Sequence, residues 1–447
     1  MFVSCQKFLI LGVSKSGYSS AKYVLKNGGI CYVYEELKSE KIEKAITELE
    51  TLGAISVGRE NLESVINICD VVVLSPGVPI NHDVAIKAKQ RGKRIIGELE
   101  FGFAQFSPPI IAVTGTNGKT TTVSLIEDVL KNAKIRQETV GNVGIPITSR
   151  IDEINRDTVC VAEVSSFQLE SVNLFCPHIS CILNIAPDHL ERHYTMENYV
   201  FLKKRIFKNQ RESEFTLLNY DDLTVRSFRT ETKGKVLWVS VQGKVDGAYR
   251  ENGKLYCFSE YIMDETDLII KGEHNVYNAL FTILCARLIN VPVETIVYTL
   301  KNFKGVKHRM ELVVEKNGVK YFNDSKATNT ASTISAIESM TAPTILILGG
   351  SEKGEEYINL FKKIKERPIK QVVLTGASRF NMLSDAGKVG YSAITLTEDF
   401  DFAIKIASLI AENGDCVLFS PACASFDKFD GFESRGEAFV KAVKVLP

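Results

Sequence analysis

Short apolar runs alternate with segments of helical periodicity along most of this chain. Near its start, Lys7–Leu11 and Ile30–Tyr34 are apolar runs of strand length, and the segment between them, up to Leu25, has the spacing of a helix. Continuous apolar runs of this length are typical of strands that are buried on both faces of a parallel sheet. The alternation therefore predicts an α/β fold.

One of these strand–helix units carries a loop with phosphate-binding chemistry. The apolar run 110–113 is followed by Thr-Gly-Thr-Asn-Gly-Lys-Thr-Thr-Thr at 114–122, and apolar residues then recur at helical spacing up to Leu130. The free N–H groups and the dipole at the start of such a helix favour an anion. This order of strand, glycine loop and helix predicts a nucleotide phosphate site.

The residues of this loop match the needs of a bound nucleoside triphosphate. Two glycines let the backbone approach the phosphates, Lys119 supplies a positive charge, and Thr120 offers a hydroxyl for Mg²⁺. The standard motif has glycine at the position of Val113, so a turn that merely needs two glycines is the alternative. We predict that the triphosphate is bound by Gly115, Thr116, Asn117, Gly118, Lys119, Thr120 and Thr121.

The first strands of the chain end in residues that can line a second crevice. A loop at 12–17 follows the first strand, Glu35 ends the second, and Ser75 to Gly77 follow the apolar run 70–74. Ligands of open parallel sheets bind at the carboxyl ends of the strands. We expect a diphosphate-sized crevice there, which includes Ser16. Ser14 replaces the middle glycine of the dinucleotide fingerprint, so a plain strand–helix turn is the alternative.

Two further apolar runs end in ionisable residues. Glu163 ends the run that begins at 158, and His189 follows the run 179–185. An acid at a strand end beside a phosphate loop is the usual ligand of Mg²⁺, although a solvated strand end or a cap is the alternative. His193 lies four residues after His189, but Leu190 replaces the glutamate that zinc hydrolases require. We interpret His193 as a surface residue. His189 is the stronger candidate for a site residue, because it lies at the end of a strand.

The middle of the chain shows strands without a catalytic pattern. Short strands are predicted at 215–218, 236–241, 254–258 and 268–270. A helix then opens near residue 272, and its Asn275 and Asn278 are three apart and share a face. Paired amides can read the edge of a base, whereas capping and helix packing are the alternative.

A third strand–helix series begins after residue 306. Its strands stop in loops of small polar residues, at 323–329, 349–354, 375–376 and 420–425. Because the carboxyl ends of parallel strands share one edge, we expect a second doubly wound sheet with its own binding edge.

Composition restricts the class of protein. The 447 residues suggest several domains, and 54 basic residues balance 54 acidic ones, so we expect no nucleic-acid partner. No apolar run approaches the roughly 20 residues of a membrane span, and no signal-peptide pattern occurs. We expect a cytoplasmic protein that does not contact membranes. The ten cysteines form no Cys-x-x-Cys pair, and we expect free, buried thiols at Cys31, Cys69, Cys160, Cys181 and Cys416.

The loop at 114–121 resembles the ATP loop of the Mur ligases and folylpolyglutamate synthases. Within the Mur ligases, the members that add D-glutamate to UDP-N-acetylmuramoyl-L-alanine are similar at 161–170, 306–309, 323–329, 420–425 and 432–436. The resemblance implies three domains. These are a Rossmann-like UDP-substrate domain at 1–97, a central P-loop ATP domain at 98–305, and a Rossmann-like amino-acid domain at 306–447.

The resemblance also implies ATP, two Mg²⁺ ions, an acyl-phosphate intermediate and a monomer. It assigns Thr120 and Glu163 to one Mg²⁺, and His189 with a carbamoylated Lys203 to the other, although Lys204 leaves the register open by one. Asn142 would contact the reacting groups, and Arg309 would neutralise phosphate charge. The adenosine side would comprise Asn275, Asn278, His308 and Asp324, and the acceptor pocket Lys326, Thr328, Lys353, Ser425 and Phe432.

Two other functions are compatible with these patterns. A related Mur-type or folylpolyglutamate-type ligase would keep the ATP loop and use a different amino-acid acceptor. A P-loop ATPase or switch would hydrolyse ATP and transfer nothing.

Overall fold

The computed structural model describes residues 2–105, 108–142, 145–351 and 356–446. The chain divides into two compact units, Met1–Leu268 with Val276–Asn302, and Ile269–Asn275 with Phe303–Pro447. The first unit contains a five-stranded and a nine-stranded sheet, and the second unit contains a six-stranded sheet. The predicted α/β fold with three domains is confirmed.

The first sheet is parallel throughout, with the strand order β3-β2-β1-β4-β5. Its strands are β1 Lys7–Leu11, β2 Ile30–Tyr34, β3 Ile55–Ser56, β4 Val71–Leu74 and β5 Arg94–Gly97. The helices around it are α1 Lys15–Lys26, α2 Glu40–Thr51, α3 Leu62–Ile68, α4 Asp83–Gln90 and α5 Glu98–Phe103. Phe8 and Ile10 belong to one apolar core, and Leu9 and Leu11 belong to another. Because alternate residues of a strand face opposite sides, β1 is buried on both faces, as its continuous apolar run predicts.

The second sheet has the strand order β14-β13-β12-β11-β10-β9-β6-β8-β7 and ends in an antiparallel meander. Its strands are β6 Ile110–Thr114, β7 Gln137–Gly141, β8 Val159–Glu163, β9 Ile179–Ile182, β10 Phe215–Asn219, β11 Lys235–Ser240, β12 Gly247–Glu251, β13 Lys254–Cys257 and β14 Glu260–Asp264. The helices that follow these strands are α6 Lys119–Asn132, α7 Ser166–Leu169, α8 Leu190–His193, α9 Met196–Lys204, α10 Leu223–Ser227, α11 Glu273–Leu288 and α12 Val293–Asn302.

The strand predicted at 268–270 is wrong. These residues, all within the described part of the chain, form no strand, and the last strand of the sheet is β14, Glu260–Asp264. Leu268 is buried as a single apolar side chain after a 3₁₀ turn, so its apolar neighbours gave a misleading signal. β12 and β14 were not predicted, because both include charged residues at their ends. β14 is an edge strand, where such residues are common, whereas β12 lies between β11 and β13.

The third sheet has the order β15-β16-β20-β17-β18-β19, and only β15 runs antiparallel to its neighbour. Its strands are β15 Glu311–Lys316, β16 Val319–Asn323, β17 Thr344–Leu348, β18 Ile369–Leu374, β19 Ile394–Leu396 and β20 Cys416–Phe419. Its helices are α13 Thr330–Ser339, α14 Ile358–Lys365, α15 Arg379–Lys388, α16 Phe400–Ile410 and α17 Phe432–Lys444. The predicted polar loops at 323–329 and 420–425 follow the adjacent strands β16 and β20, so they begin at one sheet edge.

Two observations bear on the compartment and redox predictions. The five cysteines predicted to be buried are free thiols in the interior. In the described ranges, no helix is both long and apolar enough to cross a lipid bilayer.

Two buried glutamates of α5 connect the first sheet to the second within the first unit. Glu98 Oε1 accepts hydrogen bonds from the backbone N and the Oγ1 of Thr148, both at 2.8 Å, and Ser19 Oγ lies 2.9 Å from the same hydroxyl. Glu100 accepts three backbone N–H bonds from residues 173–175. Glu98 Oε2 is buried and has no hydrogen-bond partner among the described residues. Burial raises the pKa of Glu98 to about 7, although the Thr148 bonds oppose this shift.

We predict that stability falls as the pH rises from about 4.5 to 7, because the unfolded Glu98 then ionises while the folded one keeps its proton. Glu98→Gln should remove this contribution, which is of order 3 kcal/mol for such a shift. By calorimetric melting, the stability of Glu98→Gln relative to the wild type should therefore increase between pH 5 and pH 8. Glu48→Gln, on the exposed surface of α2, is the control. The prediction is contradicted if the difference in melting temperature between Glu98→Gln and the wild type is the same at pH 5 and at pH 8.

Candidate functional site

The glycine loop after β6 has the backbone conformation of a phosphate cradle. Gly115 and Gly118 have φ angles of 147° and 86°, and Gly118 immediately precedes α6. The positive φ of Gly118 favours glycine, and a Cβ atom there would also lie 2.5 Å from Asn278 Oδ1. The strand–loop–helix arrangement predicted at 110–130 is present, and the dipole of α6 favours an anion at its start.

The side chains of this loop are held by contacts from several elements. Lys119 Nζ donates to the carbonyl oxygens of Gly115 and Thr116, at 2.8 Å each. The Asn117 N–H donates to Asn184 Oδ1 at 2.8 Å. Thr121 Oγ1, by contrast, is buried and has no hydrogen-bond partner in the described part of the chain. A buried hydroxyl and a lysine beside the helix start fit a phosphate group, which would supply the missing acceptor.

Glu163, Thr120 and Asn142 converge at the carboxyl ends of three adjacent strands. Gly141 of β7 pairs in register with Glu163 of β8, which pairs with Val113 of β6. Thr120 Oγ1 donates to Glu163 Oε2 at 2.7 Å, and Asn142 Nδ2 donates to Glu163 Oε1 at 3.0 Å. A hydroxyl and a carboxylate are the oxygen ligands that Mg²⁺ prefers, so this pair fits the metal that the resemblance implies.

Lys203 and Lys204 lie in different environments. Lys203 is 1% exposed, and its Nζ donates to the Gly115 carbonyl at 2.8 Å and lies 4.7 Å from the centre of the Tyr199 ring. Burial, assisted by the charge of Lys119, lowers the pKa of Lys203 well below its usual value. Lys204 instead forms a 2.6 Å ion pair with Glu231 near the surface. Burial therefore disfavours the ammonium form of Lys203.

The two histidines after β9 differ from each other. His189 is half-buried, has a φ of 54°, and its ring lies 4.8 Å from the ring of Phe167. His193 was predicted to lie on the surface, and this is wrong, since it is 1% exposed. Its Nε2 lies 2.9 Å from Ser166 Oγ, and its ring packs against Phe167 and Tyr199. The single turn of α8 directs it inward, and burial lowers the pKa of His193.

The crevice residues of the first sheet meet around the loop after β1. Glu35 Oε2 accepts from the Val13 N–H at 2.7 Å, and Ser75 Oγ donates to the Gly12 carbonyl at 2.8 Å. Ser16 is half-buried in the first turn of α1, and Gly77 is exposed. Glu35 and Ser75 thus fix the backbone of the loop, and the strand ends lie together as predicted.

The predicted adenosine residues lie in both compact units. In the second unit, His308 Nδ1 lies 2.9 Å from Asn323 Nδ2, and Asp324 accepts from Ser420 Oγ at 2.7 Å. Burial raises the pKa of Asp324 to about 6, and the charge of Arg309 opposes the shift. Asn275 belongs to the same unit, whereas Asn278, which belongs to the first, accepts a 3.1 Å bond from Thr122 Oγ1 beside the phosphate loop.

The predicted acceptor residues lie on the loops of the third sheet. Lys326 Nζ lies 4.9 Å from the centre of the Phe432 ring, and the Thr328 N–H donates to the Lys326 carbonyl. Ser425 is buried, and its carbonyl accepts from the Phe429 N–H at 2.9 Å. Lys353 lies outside the described residues. Lys326, Thr328 and Phe432 thus lie on loops or helix ends that follow the strands of this sheet.

Arg435 holds two loops of this region together through buried hydrogen bonds, a role that the sequence analysis did not predict. It is 2% exposed, although an arginine on an amphipathic helix is normally solvated. Its guanidinium donates to Ser325 Oγ and to the carbonyls of Ser325, Cys423 and Ala424, at 2.8–3.1 Å. Burial lowers the pKa of Arg435 to about 10, which still leaves it charged at neutral pH. It joins the loop at 323–329 to the loop at 420–425.

Three family models match the chain in order. They are described as the MurD-like N-terminal domain of Mur ligases over residues 6–97, the Mur ligase middle domain over 113–286, and the Mur ligase glutamate ligase domain over 308–423. The chain belongs to the Mur ligase family, whose members are ATP-dependent, ADP-forming ligases.

Curated relatives that match the whole chain are named for one reaction within this family. A protein from Caldanaerobacter subterraneus subsp. tengcongensis named UDP-N-acetylmuramoylalanine–D-glutamate ligase is 40% identical over 99% of this chain and 98% of its own. A protein of the same name from Clostridioides difficile is 39% identical over 99% of both.

Solved structures share the fold. The alanine ligase MurC from Thermotoga maritima has a TM-score of 0.62 at 18% identity, covering 98% of this chain and 99% of its own. MurF from Acinetobacter baumannii has a TM-score of 0.64 at 16% identity, covering 97% and 93%. At such identities the likeness concerns the fold alone.

We predict that Arg435→Lys destabilises the second unit, because a lysine cannot satisfy all four acceptors that the guanidinium reaches. Buried groups that lose their partners cost about 1–3 kcal/mol each, so the melting temperature of this unit should fall clearly. Lys441→Gln, exposed on the same helix, is the control. Equal melting of Arg435→Lys and wild type by calorimetry would contradict the prediction.

Proposed function

We propose that this protein joins D-glutamate to UDP-N-acetylmuramoyl-L-alanine in peptidoglycan precursor synthesis, converting ATP to ADP and phosphate. The observation that carries the proposal is the contact of Thr120 and Asn142 with Glu163 beside a phosphate loop. The full-length similarity to relatives named for this reaction supports the choice of substrates.

The reaction proceeds in two transfers. A carboxylate oxygen of the UDP-linked substrate attacks the γ-phosphorus of ATP, and the bond to the β–γ bridging oxygen breaks to release ADP. The D-glutamate amine then attacks the carbonyl carbon of the acyl phosphate, phosphate leaves with the electrons of the C–O bond, and the amine loses a proton. Catalysis of this kind depends on positioning the anions and offsetting their charge.

The phosphate loop supplies much of that charge compensation. Lys119 would turn from its two carbonyl acceptors toward the phosphates, while the N-terminus of α6 faces the same anion. Asn142 would orient the reacting groups, and we assign to Arg309 the role of offsetting phosphate charge. These cations act where negative charge moves from the γ-phosphate to ADP.

The residues that would hold the two Mg²⁺ ions are Thr120 and Glu163 for one, and His189 with carbamoylated Lys203 for the other. When bound, these ions neutralise phosphate charge and orient the transfer. The depressed pKa of Lys203 supports its role, because carbamoylation consumes a neutral amine. The carbamate would exchange a buried cation for an anion, which suits a metal ligand.

The remaining assignments follow the domains, 1–97 for the UDP-substrate, 98–305 for ATP and 306–447 for the amino acid. We assign the UDP-substrate to Ser16, Glu35, Ser75 and Gly77. We assign adenosine to Asn275, Asn278, His308 and Asp324, and D-glutamate to Lys326, Thr328, Lys353, Ser425 and Phe432. A lysine and hydroxyls suit a ligand with two carboxylates. We further propose a cytoplasmic monomer, for which light scattering should give the chain mass of 49.7 kDa.

The test is ADP release with ATP, UDP-N-acetylmuramoyl-L-alanine and D-glutamate, each omitted in turn. A ligase should release ADP only when all three are present. Turnover with another amino acid in place of D-glutamate would favour a related ligase. ADP release without the UDP-substrate would favour an ATPase or switch and overturn the proposal.

We predict that Lys119→Ala lowers turnover about 100-fold or more, as is typical when a phosphate-stabilising group is lost. Steady-state ADP release measures the effect, and an unchanged melting temperature shows that the fold is intact. Lys131→Ala, on the exposed face of the same helix, should retain activity. Retention of more than about a tenth of wild-type turnover by Lys119→Ala would exclude this role.

We predict that Lys203→Ala is inactive and that acetate or formate partly restores its turnover by replacing the missing carboxylate. Lys204→Ala should stay within about fivefold of wild type, because it loses a partly exposed ion pair with Glu231 and a contact with the Phe228 ring, neither of which belongs to the predicted site. An inactive, acid-rescued Lys204→Ala would show that the carbamate lies on Lys204. If neither acetate nor formate restores turnover in Lys203→Ala or Lys204→Ala, the experiment gives no support for a carbamate on either lysine.

A further inference from the structure

Arg192 connects Gly77, a predicted residue of the UDP-substrate crevice, to Glu170 in another part of the first unit. Its Nε and Nη2 donate to the two carboxylate oxygens of Glu170, at 3.0 and 2.7 Å. Its Nη1 donates to the carbonyl oxygen of Gly77 at 3.1 Å. Gly77 belongs to the loop after β4, at the predicted UDP-substrate crevice. Glu170 follows the helix α7, which comes directly after strand β8 of the second sheet. One guanidinium thus joins the two sheets of the first unit.

The same guanidinium packs beside the proposed second metal ligand. Its central carbon lies 5.0 Å from the centre of the Phe167 ring, and that ring lies 4.8 Å from the ring of His189. The side chains of Arg192 and Glu170 are 17% and 8% exposed, so the ion pair is largely shielded from water. A bidentate arginine–carboxylate pair has a fixed geometry, which defines where the remaining N–H points.

We infer that Arg192 is a positioning residue that couples the UDP-substrate loop to the His189 side of the site. The inference rests on the proposed function, and it assigns to Arg192 and Glu170 a role beyond it. Glu170 fixes the guanidinium, the guanidinium holds the Gly77 carbonyl, and its face supports the Phe167 ring against His189. The residue touches no reacting atom and acts through these neighbours.

The coupling arises because each contact restrains the other. If the loop at Gly77 moves, Arg192 loses an acceptor, and the position of its guanidinium over Phe167 changes. A lysine cannot replace it, since one ammonium cannot pair with both oxygens of Glu170 and reach Gly77 with the same planar geometry. The loss of Arg192 should therefore affect both the UDP-substrate and the metal on His189.

The experiment measures kinetics and metal binding on the full-length protein. Arg192→Gln should raise the KM for UDP-N-acetylmuramoyl-L-alanine roughly 10-fold or more, as expected for a lost charged hydrogen bond. The KM for D-glutamate should stay within about twofold, since its site keeps its contacts. Electron paramagnetic resonance titration with Mn²⁺, in the presence of a non-hydrolysable ATP analogue, should show one tight ion fewer than in the wild type.

Two further variants separate this role from a purely structural one. Arg192→Lys keeps the charge and should keep the melting temperature while showing the same rise in KM. Glu170→Gln should reproduce both effects in weaker form. Arg287→Gln is the matched control, because it removes an ion pair of the same 2.7 Å length that is more exposed, at Glu260.

The outcomes discriminate between the two proposals. If the KM for the UDP-substrate or the number of tight Mn²⁺ ions stays at the wild-type value in Arg192→Gln and Arg192→Lys, the coupling is overturned. An equal rise in all three KM values overturns it as well. If the wild type itself releases no ADP with the UDP-substrate and D-glutamate, the proposed function fails instead.

Discussion

The burial of the Glu163 carboxylate at a strand end is the constraint on which the site depends. A carboxylate that is only 2% exposed requires hydrogen bonds on its oxygens, and here Thr120 and Asn142 provide them. Both donors are available only because β6, β7 and β8 are neighbours in register, so the order of strands decides the chemistry of the site. A Cβ atom on Gly141 would lie 2.2 Å from the Glu163 carbonyl oxygen, which explains the glycine at that strand end.

The phosphate loop brings two lysines to one carbonyl oxygen. Lys119 and Lys203 both donate to Gly115 at 2.8 Å, and one comes from the loop's own helix while the other comes from α9. Two cations so close, one of them buried, disfavour each other's charge, which adds to the depression of the Lys203 pKa by burial. An anion bound at the loop would relieve this repulsion for Lys119, and loss of the charge would relieve it for Lys203. The two lysines at the Gly115 carbonyl thus suit both changes.

Local patterns predicted much of the fold and of the site. The phosphate loop and the strand ends at Glu163 and Ser75 follow from apolar runs and glycine spacing, which are properties of neighbouring residues, whereas the division into three domains came from the family resemblance. His193 and Arg435 could not be predicted in this way, because their burial depends on partners far away in sequence, such as Ser166 and Cys423. The strand wrongly predicted at 268–270 also shows the limit of local patterns. A short apolar run around the buried Leu268 cannot be distinguished from a strand without its tertiary contacts.

The two buried glutamates of α5 show how the same residue type takes different roles at one boundary. Both carboxylic acids are almost fully buried, and both face the second sheet. Glu100 accepts hydrogen bonds from three backbone N–H groups, which satisfy both of its buried oxygens. Glu98 Oε1 accepts hydrogen bonds from the backbone N–H and the hydroxyl of Thr148, and its Oε2 is buried with no hydrogen-bond partner within the described ranges. Protonation then replaces hydrogen bonding as the means of burying that oxygen, so this boundary responds to pH through Glu98, where its hydrogen-bond network is incomplete.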